Sequence, residues 1–194
     1  MSFLTGIPTE CLFTNTSDGT ALATFTAEAS LLAGMSGAQP QIPAFFFFNE
    51  ASLGKALKLR ASGTVSSTGT PTFTFFVRMG TTIASVGGTS IGQSAAITTG
   101  SGISNQYWEI EVDLILRAFG QGSGNATLQA AGSIFSPGFA SPFTYAMTPS
   151  ASATAWTATF DTTATQYLNL SASCGTSNAS NTVTLKQLTI LGLN

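Results

Sequence analysis

The chain has 194 residues, enough to bury a core in one domain, and 43% of them are hydrophobic, including 15 Phe, which excludes a disordered protein. Its net charge of -2 comes from 6 bases and 8 acids, and the bases form no large cluster, which argues against a nucleic-acid partner. The longest apolar run, residues 44–48, is far too short for a membrane helix, so we expect no membrane partner either.

Charged side chains are scarce throughout the chain. They make up 7% of the residues, whereas soluble domains usually carry about 25%. A surface with so little charge is either neutral and polar or covered by partner chains, so the composition favours a protein that works in an assembly. The N-terminus lacks the basic and then apolar pattern of a secretory signal.

The first part of the chain predicts an arm followed by a strand. Residues 1–19 contain Pro8 and a turn-like run, with few apolar anchors, and we interpret them as an extended N-terminal arm. Alternation of Ala23, Phe25 and Ala27 with threonines favours a strand within residues 20–32 over a helical turn. These features place the boundary of the main domain, residues 20–194, after residue 19.

Four consecutive aromatic residues follow, at positions 45–48. On a strand they would place large apolar groups on both faces, so at least one face needs cover from another layer or another subunit. Core packing is the ordinary role of such a run, and an exposed docking patch is the alternative.

The clearest strand covers residues 107–120, where apolar side chains alternate with charged ones. A period of two over eleven residues predicts one face in a core and one outside. Residues 55–63 and 71–79 alternate in the same way and carry the bases that the outward acids need as neighbours, since like charges side by side repel. We therefore predict one same-face charge ladder, each pair contributing roughly 0 to 1 kcal/mol, made of Lys58, Arg60, Arg78, Glu109, Glu111 and Asp113.

The remainder of the chain alternates short strand patterns with turns rich in Gly, Ser, Thr and Pro. Strand patterns recur at residues 156–160, 167–172 and 182–193, whereas helical periodicity with caps is absent from any stretch of ten or more residues. Short alternating strands with turns at spacings of roughly 8 to 12 residues predict an all-β fold. The expected architecture is an antiparallel β-sandwich, most simply a jelly roll.

Residues suited to catalysis or metal binding are few. The chain has no His, which excludes Ser-His-Asp and Cys-His devices, and two Cys without His argue against a zinc site. One disulfide between Cys11 and Cys174 stays open as an alternative. Glu109 and Glu111 could serve a glycosidase, but an ion-paired strand face is the simpler interpretation. Asp161 has no second acid near it in the sequence that could help to bind calcium, so we expect a turn there. We therefore predict that the protein is not an enzyme and has no cofactor and no metal.

Three segments of the sequence together resemble those of a known group of proteins. They read GKALKLRASGTVSSTGTPTFTFFVRMGTT (residues 54–82), YWEIEVDLILRAFGQGSG (107–124) and TAWTATFDTTATQYLNLSASCGTSNASNTVTLKQLTI (154–190). Their order, spacing and turn residues resemble virion structural proteins of tailed bacteriophages, with Asp161 and Asn181 as the most distinctive positions. Cys174 departs from the pattern, because that group usually has an aromatic residue there.

The resemblance implies a jelly roll, often trimeric, that serves as a capsid cement or decoration protein, a head fibre or part of a tail, without catalysing a reaction. We expect a homotrimeric cement protein, made in the host bacterial cytoplasm, that binds the major capsid protein on the outside of the virion and bridges capsomers. The apolar residues of the arm and of the Phe run are the candidate subunit or capsid contacts: Leu12, Phe13, Phe45, Phe46, Phe47 and Phe48.

The alternative is a tail or head-fibre module that binds a glycan or a host receptor. Such a module would present aromatic platforms, for which the candidates are Tyr107, Phe139, Phe143 and Tyr145. Tail adhesins usually carry an elongated stem before the head domain, and the chain offers no room for one, which favours the cement interpretation.

Overall fold

A computed structural model describes residues 9–35, 39–47, 56–118, 126–150 and 157–193. The strands of these residues are, in chain order, β1 (Thr9–Thr14), β2 (Ala29–Ser30), β3 (Gln41–Ile42), β4 (Ala56–Ser66), β5 (Thr72–Gly80), β6 (Thr89–Gln93), β7 (Ile97–Thr98), β8 (Gln106–Ala118), β9 (Ala126–Phe135), β10 (Thr144–Met147), β11 (Thr157–Phe160), β12 (Gln166–Cys174) and β13 (Thr182–Leu193). The described part of the chain contains no α-helix.

The strands form two packed sheets, and all pairings between the described strands are antiparallel. The larger sheet has the order β1-β13-β4-β8-β9-β10, with β11 also paired to β9. The smaller sheet has the order β2-β12-β5-β6, with β3 on β12 and β7 on β5. The prediction of an all-β protein built as an antiparallel two-sheet sandwich is therefore confirmed.

Strand β8 lies at the centre of the larger sheet, between β4 and β9. Its inward side chains, from Trp108 to Leu116 at every second position, are buried, while Glu109 and Asp113 are exposed. Successive side chains on a strand point to opposite faces, so the alternation in the sequence places the apolar set against the smaller sheet and the acids in solvent.

Aromatic side chains join the two sheets across the core. Phe75 of β5 packs against Trp108 of β8, with ring centroids 5.4 Å apart, and against Phe139, at 6.3 Å. The Trp108 indole N–H donates to the Thr64 carbonyl oxygen at 3.1 Å, which satisfies its one polar group inside the core. Gly63 lies beside this indole: a methyl group there would be 1.9 Å from the Thr184 carbonyl oxygen and 2.7 Å from Trp108 Cζ2.

The N-terminal segment belongs to the sandwich along most of its described length. Strand β1 pairs with β13 as an edge strand of the larger sheet, so Thr9–Thr14 of the predicted arm form a sheet strand. From there the chain crosses the side of the sandwich, bonding Gly19 N to the Leu185 carbonyl oxygen at 2.9 Å and Leu31 N to the Leu170 carbonyl oxygen at 2.8 Å. The prediction of one strand within residues 20–32 was wrong, because these bonds to other strands replace a regular ladder, and only β2 and a bridge at Leu22 remain.

Candidate functional site

The outer face of the larger sheet carries most of the predicted charge ladder. Strands β4 and β8 pair in a register that places Lys58 opposite Asp113 and Arg60 opposite Glu111. Lys58 forms its closest ion pair diagonally, with Glu111, and its Nζ lies 3.8 Å from Asp113 Oδ1. The hydrogen bond from Lys58 lowers the pKa of the Glu111 carboxyl, and the same bond raises the pKa of Lys58. These pairs are largely exposed, so they set the strand register more than the stability.

Arg78 does not belong to this ladder. It lies on β5 in the smaller sheet, where Nη2 and Nε each donate to a different oxygen of Glu28, both at 2.6 Å. The prediction that Arg78 faces the acids of residues 109–113 was wrong. Alternation shows that Arg78 points away from the core, but it does not show on which sheet the strand lies.

The Glu28–Arg78 pair sits in a polar cluster over the smaller sheet. Ser171 Oγ donates to Glu28 Oε1 at 2.5 Å, and Arg78 Nη1 donates to the Gly88 carbonyl oxygen at 3.1 Å. The guanidinium also covers the Phe76 ring, with its central carbon 5.0 Å from the ring centroid. Only 18% of the Arg78 side chain and 16% of the Glu28 side chain remain accessible to solvent. A bidentate, shielded pair of this kind is stronger than an exposed one.

Sequence reasoning missed Glu28 because it lies in an irregular segment. One signal was present: Glu28 is the only charged residue between Asp18 and Glu50, and Arg78 is the only charged residue between Arg60 and Glu109. Isolated charges of opposite sign in two otherwise neutral stretches are candidates for pairing with each other, since a shielded charge needs a partner.

A groove crosses the outer face of the larger sheet beside the charge ladder. It has a volume of about 330 Å³ and is named here the Tyr107 groove, after the exposed aromatic residue at its rim. The Tyr107 hydroxyl donates to Glu109 Oε2 at 2.7 Å, and this bond to a carboxylate raises the pKa of the tyrosine. The polar and charged residues that line the groove are Arg60, Ser62, Tyr107, Glu109, Glu111, Gln187 and Thr189.

The predicted apolar contact residues have different environments. Phe13 and Phe47 are buried in the core, and Phe47 meets the Phe160 ring at a centroid distance of 5.4 Å. Leu12 and Phe46 are partly buried against that core. Phe45 is exposed, at 54%, and Phe48 lies outside the described residues. Phe13 and Phe47 thus serve the fold of the single chain.

The exposed apolar side chains of the described residues lie at both ends of the sandwich. At one end Phe45 N donates to the Thr162 carbonyl oxygen at 2.9 Å, and a groove of about 350 Å³ lies between residues 79–89 and 159–166. The residues of this groove include Ser85 and Asp161, and the exposed Ile83 and Val86 belong to the same loop as Ser85. We call Phe45, Ile83 and Val86 the apolar end.

The opposite end carries the aromatic residues suggested as platforms. Tyr107 and Phe143 are exposed, whereas Phe139 is buried and Tyr145 is partly buried, with their rings 6.0 Å apart. Ser136 joins the two exposed residues, because its N–H donates to the Phe143 carbonyl oxygen at 3.0 Å and its hydroxyl donates to the Tyr107 carbonyl oxygen at 2.6 Å. Of these four residues, only Tyr107 and Phe143 are therefore exposed enough to contact a ligand.

Asp161 and Asn181, the distinctive positions of the resemblance, both organise turns. Asp161 Oδ1 accepts the side-chain hydroxyl of Thr163 at 2.6 Å and its backbone N–H at 2.8 Å, and these bonds lower the pKa of the carboxyl. Asn181 is buried and joins two loops, accepting from Thr68 N at 3.0 Å and donating to the Thr176 carbonyl oxygen at 3.1 Å. Both residues act on the conformation of loops that connect strands.

The two cysteines are free thiols on different sheets. Cys11 of β1 is exposed, and Cys174 of β12 is buried. Burial raises the pKa of the Cys174 thiol, which keeps it protonated and poorly reactive at neutral pH. Among the described residues, no group of three or more His, Cys, Asp and Glu side chains is arranged so that it could hold a metal ion.

No protein-family model matches the chain, and no curated protein matches it in sequence. Within the described part of the chain there is no helix of the length and apolar character needed to cross a membrane.

Proposed function

We propose that the protein is a non-enzymatic virion structural protein of a tailed bacteriophage, which decorates the outside of the head as a homotrimer and stabilises contacts between capsomers. One observation carries the proposal. The three segments that resemble such proteins are separated from one another in the sequence, yet they contain β4, β5, β8, β11, β12 and β13. Of these strands, β13, β4 and β8 are neighbours in the larger sheet, and β12 and β5 are neighbours in the smaller one.

The jelly-roll assignment is part of this proposal. Strand β4 pairs with β13 in the larger sheet, and β5 pairs with β12 in the smaller one. The consecutive strands β4 and β5 therefore pair with the consecutive strands β13 and β12, with one strand of each set in either sheet. This pairing is expected when a long antiparallel ribbon is rolled into a sandwich. Strand β4 lies between β13 and β8, so the strand order of the larger sheet departs from the simple jelly-roll order.

The trimer and the capsid contact are supported by the scarcity of charge and by the apolar end. Phe45, Ile83 and Val86 expose apolar surface at one pole of a chain with only 7% charged residues. A stable subunit contact buries about 800 Å² per partner. The apolar end holds three of the five large hydrophobic side chains that are exposed in the described part of the chain, so covering it would remove hydrophobic area from water.

The decisive experiment measures the mass of the purified protein in solution, with and without expanded empty capsids. A cement protein forms a trimer that saturates the capsids at a constant ratio to the major capsid protein. The variant Phe45→Ser with Ile83→Ser is expected to lower that occupancy at equal concentration, and Thr127→Ser, on an outer strand face, is the matched control. A monomer that leaves the capsids bare would refute the proposal.

A tail or head-fibre module that binds a glycan or a host receptor is the second candidate. The observation that favours it is the presence of two exposed aromatic residues, Tyr107 and Phe143, at one end of the sandwich, where Ser136 donates to the backbone carbonyl oxygen of each. A trimer that ignores capsids and binds host cells would select this function.

A further inference from the structure

The Tyr107 groove offers hydrogen-bond donors that its own residues leave unused. The Arg60 side chain is 61% exposed, and its Nε lies 3.9 Å from Glu111 Oε2, which is longer than a hydrogen bond. Gln187 accepts from Ser62 through Oε1 at 3.2 Å, and its amide NH₂ group has no partner among the described residues. Two planar groups with free N–H donors therefore face the groove from β4 and β13.

Acceptors line the other side of the groove, on β8. Glu109 uses Oε2 to accept from Tyr107, which leaves Oε1 for another donor. Glu111 is paired with Lys58, and this pairing holds it in the ionised, acceptor-only form at neutral pH. The groove thus presents donors and acceptors a few ångströms apart, as the pairing of Arg60 with Glu111 in the sheet register requires.

Tyr107 adds an aromatic surface at the rim. The residue is 46% exposed, and the hydrogen bond from its hydroxyl to Glu109 restricts the rotation of the side chain. The face of an aromatic ring carries a negative partial charge and attracts weakly positive C–H groups. A ring that is already held in place loses little entropy when a ligand stacks on it.

The charges of the lining select the class of ligand. The two carboxylates of the lining are matched by the Arg60 guanidinium and by Lys58, which pairs with Glu111, so the net charge favours neither an anion nor a cation. An apolar ligand would strip water from three charged groups without replacing their hydrogen bonds. A compound with adjacent hydroxyl groups on a ring satisfies both sets, since each hydroxyl donates to a carboxylate and accepts from an N–H group.

We infer that the Tyr107 groove binds a neutral saccharide, with one sugar ring stacked on Tyr107 and adjacent hydroxyls between Arg60, Gln187 and the carboxylates. The volume of about 330 Å³ lies at the lower end of the range for small-ligand sites, roughly 300 to 1,000 Å³, and suits a short saccharide. The inference holds for a head or a tail position, so its failure leaves the cement role untouched.

The test titrates isotope-labelled protein with short neutral oligosaccharides of glucose, galactose, mannose and N-acetylglucosamine, and with sialylated and amino-sugar oligosaccharides as charged probes. Binding is followed by NMR chemical shifts. At least one neutral probe is expected to bind and to shift the amide signals of Tyr107, Glu109 and Gln187. Mapping on the unmodified protein tests the location without depending on any variant.

Variants then test the proposed contacts. Tyr107→Ala and Arg60→Ala should each weaken binding about tenfold or more, whereas Tyr107→Trp, which keeps an aromatic face, should retain it. Arg117→Ala removes an exposed arginine of β8 that does not line the groove and is the matched control for Arg60→Ala. The inference is overturned if neutral probes do not bind at millimolar concentration, if shifts map elsewhere, if charged probes bind more tightly, or if both alanine variants bind normally.

Discussion

Replacing Glu28 with Gln tests whether the shielded ion pair holds the N-terminal segment on the smaller sheet. The amide keeps the shape of the carboxylate but loses its charge. The Arg78 guanidinium then loses the carboxylate of Glu28 while it remains largely shielded from solvent. Hydrogen bonds to charged groups contribute about 1.5 to 3 kcal/mol, and removing one partner of a fully buried pair costs roughly 3 to 5 kcal/mol. With 16% and 18% of the two side chains accessible, we expect a loss of about 2 to 3 kcal/mol in the free energy of unfolding.

The matched control is Glu111→Gln, which makes the same chemical change in an exposed pair. The Glu111 side chain is 40% accessible, so its loss should cost no more than about 1 kcal/mol. Urea denaturation of both variants and of the unmodified protein measures the difference, and a double-mutant cycle with Arg78→Met isolates the coupling. Equal destabilisation by the two substitutions, or additivity of Glu28→Gln with Arg78→Met, would refute the reasoning.

Three further predictions concern packing, thiol reactivity and titration. Gly63→Ala should lower the free energy of unfolding by about 3 kcal/mol or prevent folding, because its methyl group would overlap backbone and indole atoms; a thermal melt like that of the unmodified protein would contradict this. A thiol reagent should modify Cys11 rapidly and Cys174 only after denaturation, so native protein that reacts at both sites would be inconsistent with the burial. Lys58→Met should raise the Glu111 pKa toward its ordinary 4.5 in an NMR titration. Because the folded pKa is depressed, the pair stabilises above the ordinary value and its contribution disappears as the pH falls through the folded value; an unchanged Glu111 titration would exclude this pairing.

The fold class was predictable because β8 and its neighbours alternate so regularly. Trp108 and the inward residues after it could occupy only one face of a strand, and a strand with one apolar face needs a second layer. The path of residues 20–28 was not predictable, because their hydrogen bonds go to backbone groups that are distant in sequence. Ala23 and Phe25 alternate with threonines as residues of a strand do, but so short an alternation does not distinguish a strand from an irregular segment.

The candidate surfaces were predictable only in part. Lys58, Arg60 and Glu111 lie on strands whose patterns were clear, and neighbouring strands with complementary charges bring such side chains together. Arg78 shows the limit of this reasoning, since the period of a strand gives the face of a side chain but never the sheet to which the strand belongs. The Tyr107 groove likewise depends on Gln187, which reaches that face next to a bulge between Leu185 and Gln187 in β13.

The environments of the phenylalanines change where a capsid contact would be sought. Phe13 and Phe47 fill the core of their own chain, so substituting them would report on folding and not on binding. If the protein decorates a phage head, the apolar surface that is buried when it binds the capsid must belong to side chains that are exposed in the single chain. Among the described residues those at the apolar end, Phe45, Ile83 and Val86, meet this requirement, while the saccharide site inferred for the opposite half would then remain open to solvent. The two proposals therefore use separate surfaces of one sandwich, and a capsid-bound protein should bind the neutral probe as tightly as the free one.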